Sequence, residues 1–180
     1  MTEISLLAIV GSLRVGSVNA ATARAAASEA PEGVAVTLYD VSDLSLYNGD
    51  EEEAGPPAAA VALHAAVATH DGVILFSPEY NSSFPAVTKN VIDWLSRPPK
   101  SWDGVPFTLV STSPGGRAGL GVREHFEAIM QRQPVRLFET HGIGNYGDKI
   151  DNGELTAVET LTELAEFVGS FADFARSDVG

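Results

Sequence analysis

The stretch Ile4-Ser-Leu-Leu-Ala-Ile-Val-Gly-Ser-Leu-Arg-Val-Gly-Ser-Val-Asn19 decides the fold. Its first seven residues form an apolar run of strand length, and an Ala-rich segment with helical character follows at 19–29. Between them lies a loop of Gly11, Ser12, Arg14, Gly16, Ser17 and Asn19. A strand that empties into such a loop at a helix start offers backbone N–H groups, hydroxyls and one cation to an anion. The loop reads as a phosphate cradle.

Working outward, apolar and β-branched runs recur at 4–10, 34–39, 72–77, 106–112 and 135–138. Helical segments separate them at 19–29, 56–69, 85–96 and 119–132, and a last helix is expected at 154–176. Alternating strand and helix implies an α/β fold, a mostly parallel sheet covered on both faces. In the last helix Leu155, Val158, Leu161, Ala165, Val168, Ala172 and Ala175 share one face, while Glu159, Glu163, Glu166 and Asp173 take the other. Residues 40–55 lack periodicity and carry Asp50-Glu51-Glu52-Glu53, so they read as a solvated loop without assigned function. No repeat or linker divides the chain, and residues 1–180 are expected to form a single domain.

The 180 residues suffice for a sizeable core without staples, and the absence of cysteine excludes thiol nucleophiles, thiolate metal sites and disulfides. Eleven basic against 24 acidic residues give a net charge of −13, which repels nucleic acid and anionic membrane. No basic segment precedes the first apolar run, and no run approaches the roughly 18 residues that span a bilayer. The expected location is cytoplasmic, with no nucleic-acid or membrane partner.

Spacing separates the loop from its rivals. It lacks the Gly-Lys-Ser/Thr ending of a nucleoside-triphosphate loop. It also lacks GxGxxG, since Leu13 stands where the second glycine would let backbone approach a pyrophosphate, and Asp40 alone is a poor ribose-binding acid. A single terminal phosphate, as in flavin mononucleotide (FMN), remains: Ser12, Ser17 and Asn19 can donate hydrogen bonds, Arg14 supplies charge, and the helix points its positive end inward. The alternative is a plain helix start capped by Ser17 or Asn19.

Two further loops fall at the same end of the sheet. In Ser77-Pro78-Glu79-Tyr80-Asn81-Ser82-Ser83-Phe84-Pro85, Pro78 stiffens the turn, Tyr80 offers a flat face to an aromatic ring, and Asn81 can bond a polar edge. An ordinary loop with Tyr80 on the core and Asn81 in an Asx turn is the competing reading. In Ser111-Thr112-Ser113-Pro114-Gly115-Gly116-Arg117-Ala118-Gly119, glycines allow close approach to a ligand and Ser113 can donate to it. Arg117 either meets the phosphate of an incoming dinucleotide or forms a surface ion pair, the default for such a residue.

Three motifs in order carry a resemblance: Gly11-Ser12-Leu13-Arg14 with Ser17 and Asn19; Pro78-Glu79-Tyr80-Asn81 with Ser83 and Pro85; and Lys89-Asn90-Val91-Ile92-Asp93-Trp94-Leu95-Ser96-Arg97. Together with Asp151-Asn152-Gly153-Glu154 they resemble the NADPH-dependent FMN reductase family, which includes bacterial quinone, azo-dye and chromate reductases. The resemblance implies a flavodoxin-like, doubly wound, five-stranded parallel sheet with helices on both faces. It implies noncovalent FMN and NADPH or NADH as cosubstrate. Gly11, Ser12, Arg14, Ser17 and Asn19 match the phosphate site, Pro78, Glu79, Tyr80 and Asn81 the isoalloxazine loop, and Ser113 and Gly115 the third loop, where Pro114-Gly115-Gly116-Arg117 departs from the family pattern. The resemblance also implies a homodimer built on the 85–97 helix, with pairing into tetramers open.

That helix has its own physical reading. Lys89, Asp93 and Arg97 fall at i, i+4 steps and can form an ion-pair ladder. Val87, Val91 and Leu95 line one apolar stripe while Phe84, Ile92 and Trp94 point elsewhere, so a second covering surface is needed: a partner subunit, or residues 101–105 with Trp102 folding back.

The leading expectation is an oxidoreductase that passes hydride from NAD(P)H to FMN and then to a quinone, free flavin, azo compound or metal-oxyanion acceptor in a ping-pong scheme, with no obligatory catalytic side chain. The alternative is an FMN-holding electron carrier without nicotinamide reactivity. Tyr80 as the sole aromatic of the ring-facing motif, beside an open glycine loop, favours the enzyme. A binder of some other phosphorylated ligand ranks third. His64, His70, His125 and His141 are not spaced as metal ligands and read as surface or capping residues.

Overall fold

The computed structural model describes residues 3–177. Five parallel strand positions lie in the order β2 (Val34–Tyr39), β1 (Ile4–Val10), β3 (Gly72–Phe76), β4 (Pro106–Thr112) and β5 (Arg136–Leu137). The chain moves outward from β1 to β2, then crosses back to add β3 on the other side. The loops after β1 and β3 therefore diverge at a switch point, where open α/β sheets bind ligands. This is the flavodoxin-like, doubly wound architecture.

Strand side chains alternate between two apolar layers, as a pleat of period two requires. Leu7, Ile9, Val73, Leu75, Phe107 and Leu109 face α3 (Ala58–Ala68), α4 (Ala86–Leu95) and α5 (Leu120–Met130), meeting Leu63, Val67, Trp94 and Phe126. Leu6, Ala8, Ile74, Phe76 and Val110 face α1 (Val18–Ser28) and α6 (Val158–Arg176), meeting Ala23, Ala26, Leu164, Val168 and Phe171. Complete burial of such side chains contributes about 1.5–3 kcal/mol each relative to exposure. The small side chains of α1 let its N-terminal end lie close to the sheet.

The structure departs from the sequence reading at several places and decides one alternative that it left open. First, residues 49–54 are helical rather than loop: α2 (Gly49–Ala54) starts at Asn48, whose side chain accepts from the Asp50 N–H. Asp50, Glu51 and Glu52 sit in its first turn, where the helix dipole favours negative charge. Second, the fifth strand is broken. β5 pairs with β4 through Pro106 and Phe107, and β6 (His141–Ile143) pairs with β4 from Val110 onward, its register one residue out of step. The slack residue is a bulge, and the Thr108 hydroxyl donates to Glu139 O (2.6 Å) to satisfy the interrupted ladder.

Third, Glu154 does not open the last helix. Ile150–Asp151 (β7) and Glu154–Leu155 (β8) form a hairpin on Asn152 and Gly153, both at positive φ as a type I′ turn requires, and α6 begins at Val158. Arg24 of α1 holds this hairpin through Glu154 and Gly153 O.

Fourth, the extra apolar side of α4 is covered within one copy of the chain. Trp94 Nε1 donates to Ser45 O (2.8 Å), the Asn90 amide bonds Tyr47 N and Ser45 O, and the Tyr47 and Trp94 rings meet edge to face. Trp102 is buried against Phe107. Uncovered surface on this helix therefore gives no physical argument for a partner. Lys89 and Asp93 pair as the spacing suggests, but Arg97 lies over the Tyr47 ring instead of completing the ladder. His64, read as a surface or capping residue, is buried: its ring bridges Ser101 Oγ (2.8 Å) and Trp94 O (3.1 Å).

Candidate functional site

Three loops meet at the carboxyl end of the sheet. The first begins where Gly11 continues the β1–β3 ladder by donating to Phe76 O. A β-carbon there would overlap the Thr88 hydroxyl, so only glycine lets this loop lie against the first turns of α4. Gly16 takes a positive φ of 73°, and Ser17 then caps α1, its Oγ accepting from Ala20 N (3.3 Å). The N–H groups of Val18 and Asn19 come before Ala21, the first to find an intrahelical acceptor (Ser17 O), and are left for a ligand. The Asn19 side chain is not: its amide donates to Thr112 O (3.0 Å) and accepts from Thr112 N (2.9 Å). Thr22 adds a hydroxyl bond to Thr112 (2.7 Å), so the helix start is pinned to the end of β4.

The second loop folds into a tight turn. Tyr80 and Ser83 exchange backbone hydrogen bonds around Asn81 and Ser82, both left-handed. Tyr80 is half exposed and faces the first loop's cleft; Asn81 sits at the tip of the turn. Glu79 Oε2 accepts from Val122 N of α5 (3.2 Å). In the third loop Ser113 N donates to Ile143 O (2.9 Å) and its Oγ to Gly115 O (3.3 Å). Ala118 and Gly119 are left-handed, and a β-carbon at Gly119 would overlap Ser111.

These elements enclose a cleft of about 250 Å3 lined by Ser12, Arg14, Ser17, Val18, Asn19, Pro78, Glu79, Tyr80, Thr112, Ser113, Pro114 and Tyr146. Of the residues singled out in the sequence, Ser12, Arg14, Ser17, Asn19, Pro78, Glu79, Tyr80 and Ser113 come together there. Gly11, Asn81 and Gly115 are adjacent in the chain but are not among the lining residues. Arg14 is the cleft's one cation and forms no ion pair among the described residues; the one lining acid, Glu79, is turned toward α5. Arg117, exposed on the third loop, has no carboxylate partner among the described residues either, so the surface pair assumed as its default does not form.

Tyr146 was not singled out in the sequence. It stands in a short 3-10 turn, Tyr146–Asp148, directly after β6. The readable signal is its place: an aromatic in the loop after the last strand of a doubly wound sheet lies at the ligand end. Tyr80 is thus not alone, and the argument from a single aromatic against an electron carrier no longer holds.

The model of a family described as NADPH-dependent FMN reductase matches residues 4–138. A quinone reductase of Pseudomonas putida is 40% identical over 178 residues, covering 96% of this chain and 95% of the relative. A quinone reductase of Escherichia coli K12 is 32% identical over 181 residues, covering 97% and 96%. Among solved structures, FerB of Paracoccus denitrificans, a flavoenzyme NAD(P)H:(acceptor) oxidoreductase, superposes with a TM-score of 0.84 at 27% identity, covering 96% of this chain and 97% of FerB.

Proposed function

Because the chain belongs to the NADPH-dependent FMN reductase family, and is therefore an oxidoreductase that uses FMN and NAD(P)H, we propose that its sheet-end cleft is the FMN site and that a quinone is its acceptor class. Free flavin, azo compounds and metal oxyanions are further acceptors under this proposal. We take residues 1–180 as one FMN-binding domain acting in the cytoplasm, with no nucleic-acid or membrane partner; no helix among the described residues is long and apolar enough to cross a membrane.

The observation that carries the reading is that the cleft's lining combines two chemistries. From the first loop, Arg14, the Ser12 and Ser17 hydroxyls and the first N–H groups of α1 suit a phosphate dianion. From the later loops, Tyr80 and Tyr146 with Pro78 offer flat apolar surface to a ring. The residues present thus fit FMN. Bound FMN supplies the hydride acceptor for NAD(P)H and the donor for the second substrate, while the protein binds and orients. Arg14 neutralises the phosphate. Tyr80, held by its bridge to Ser83, sets the mouth, and Ser113 lines it with its hydroxyl donated to Gly115 O. Asn19 and Glu79, matched to the ligand by resemblance, line the cleft while their side chains bond protein backbone and position the site. Gly11, Asn81 and Gly115 serve through backbone placement.

The purified protein should be yellow, with flavin absorbance that bleaches within seconds under anaerobic NADPH and returns on adding a quinone. Parallel lines in initial-rate plots would support the ping-pong order. A colourless protein that takes up no FMN on reconstitution would overturn the cofactor assignment. Tyr146 favours a second reading, an FMN-holding electron carrier, because two aromatics from different loops can shield a ring; persistence of oxidised flavin for minutes under NADPH and NADH would select it. A homodimer is proposed with the family reading. The surface a second copy would cover is the uncharged outer side of α3, where Val61 and Ala65 are exposed, and light scattering of Val61→Glu against the parent tests it.

A further inference from the structure

We infer that Glu79 is a positioning residue: its carboxylate caps α5 from a neighbouring loop and so fixes the Tyr80 turn relative to the third loop. This rests on the cleft being the FMN site. Helix α5 begins after Gly119, which has no side chain to cap the first N–H groups. The Glu79 carboxylate takes that place at Val122 N, with its charge at the positive end of the helix.

Two more contacts run between the same segments. Gly121 packs so tightly that a β-carbon would lie 3.0 Å from Ser82 Cα and O. Ser83 Oγ and His125 Nδ1 are 2.7 Å apart. Residues 79, 82 and 83 thus meet residues 122, 121 and 125, one loop clamped to the first turns of one helix. The turn needs such a clamp. Asn81 and Ser82 both occupy the left-handed region, which costs a residue with a side chain and persists where surroundings enforce it.

Tyr80 is bridged to Ser83, so the position of its ring follows α5, and α5 is continuous with the loop that carries Ser113 and Pro114. Both walls of the mouth move as one body. A planar nicotinamide or quinone entering there would sense the clamp, while a phosphate held by Arg14 on the far loop would not. Glu79 thereby sets the fit of each ring that meets Tyr80, the flavin's and the exchanging substrates', while the hold on the phosphate stays with Arg14.

The test compares Glu79→Ala with Glu79→Gln, which keeps a carbonyl oxygen for the Val122 N–H. In Glu79→Ala, amide exchange at Val122 should quicken by roughly tenfold or more. KM for NADPH and for a benzoquinone should rise about fivefold or more, while FMN weakens by less than about fivefold because Arg14 still holds its phosphate. Glu79→Gln should restore slow exchange and low KM. Unchanged exchange at Val122 in Glu79→Ala overturns the proposal. So does a loss of FMN affinity of about tenfold in both variants, which would make Glu79 a ligand. If the parent binds no FMN, the cofactor reading fails on its own, and Val122 exchange still decides the cap.

Discussion

The side-chain amide of Asn19 forms a closed pair of hydrogen bonds with the backbone of Thr112, 93 residues further along the chain, and so joins the phosphate-loop helix to the end of β4. Both residues are buried. Asn19→Ala would strand the Thr112 N–H and C=O away from water, each costing about 1–3 kcal/mol. We expect a fall in unfolding free energy of about 3 kcal/mol by urea titration, with weakened FMN binding as the helix start loosens. Asn19→Asp should be worse, since it sets a charged oxygen against Thr112 O. A fully stable Asn19→Ala protein would show that the anchor is dispensable.

Gly11 offers a second handle on the same loop. In Gly11→Ala the new methyl meets the Thr88 hydroxyl, itself bonded to Ser77. Overpacking of this kind costs about 1–3 kcal/mol. Truncating the obstacle in Gly11→Ala/Thr88→Ala should recover part of the loss in thermal unfolding, a non-additivity expected only for residues in contact. Additive losses would place the clash elsewhere.

Much of this arrangement is legible in the sequence, and the failures share a cause. β3 and β4 are buried along their whole length, so uninterrupted apolar runs reveal them. The glycine and hydroxyl spacing of the first loop reveals the turn at Gly16 and the Ser17 cap because backbone geometry is local. The anchoring bonds of Asn19 and Glu79 are invisible in the sequence because their partners are main-chain atoms 93 and 43 residues away, which no local pattern encodes. Asn48 caps a helix whose acidic first turn reads as a solvated charge run. Tyr146 is displaced from the expected strand end by the bulge between β5 and β6, a register slip set by tertiary pairing.

Two histidines give the protein an acid limit. Burial pushes the His64 imidazole below its ordinary value of 6.5, against a smaller opposing effect of its bond to Trp94 O. Burial likewise lowers His141, whose Nε2 has no hydrogen-bond partner among the described residues; Glu163 and Glu139 pull it up and Arg123 and Lys149 push it down. In both, the folded state holds its proton less tightly than the unfolded chain. Their contribution to stability is therefore full above 6.5 and is lost as pH falls through that value. Denaturant unfolding at pH 7.5, 6.5 and 5.5 should show a decline, flattened in His64→Gln. An unchanged slope in that variant would mean His64 titrates normally.

Arg14 carries the phosphate assignment. It is the one cation lining the cleft of a chain with net charge −13, so local geometry must hold the dianion against the global field. Arg14→Ala should weaken FMN by roughly a hundredfold, since charge-assisted bonds contribute about 1.5–3 kcal/mol. Riboflavin, which lacks the phosphate, should bind parent and variant alike in fluorescence titrations. Equal losses for both flavins would move Arg14 to the ring.

Arg117 addresses the choice between nicotinamide cosubstrates. It is exposed and has no carboxylate partner among the described residues, on the loop whose Ser113 and Pro114 line the cleft. Its guanidinium is free to pair with a phosphate. NADPH differs from NADH by one ribose phosphate, so a cation that meets it discriminates between the two while one that meets the shared pyrophosphate does not. In Arg117→Ala we expect kcat/KM for NADPH to fall by about tenfold with NADH unchanged, a loss of about 1.4 kcal/mol. Arg117→Glu should widen the gap by repulsion. Equal falls for both cosubstrates would place the guanidinium on the pyrophosphate, and no change in either would leave Arg117 a solvated surface charge.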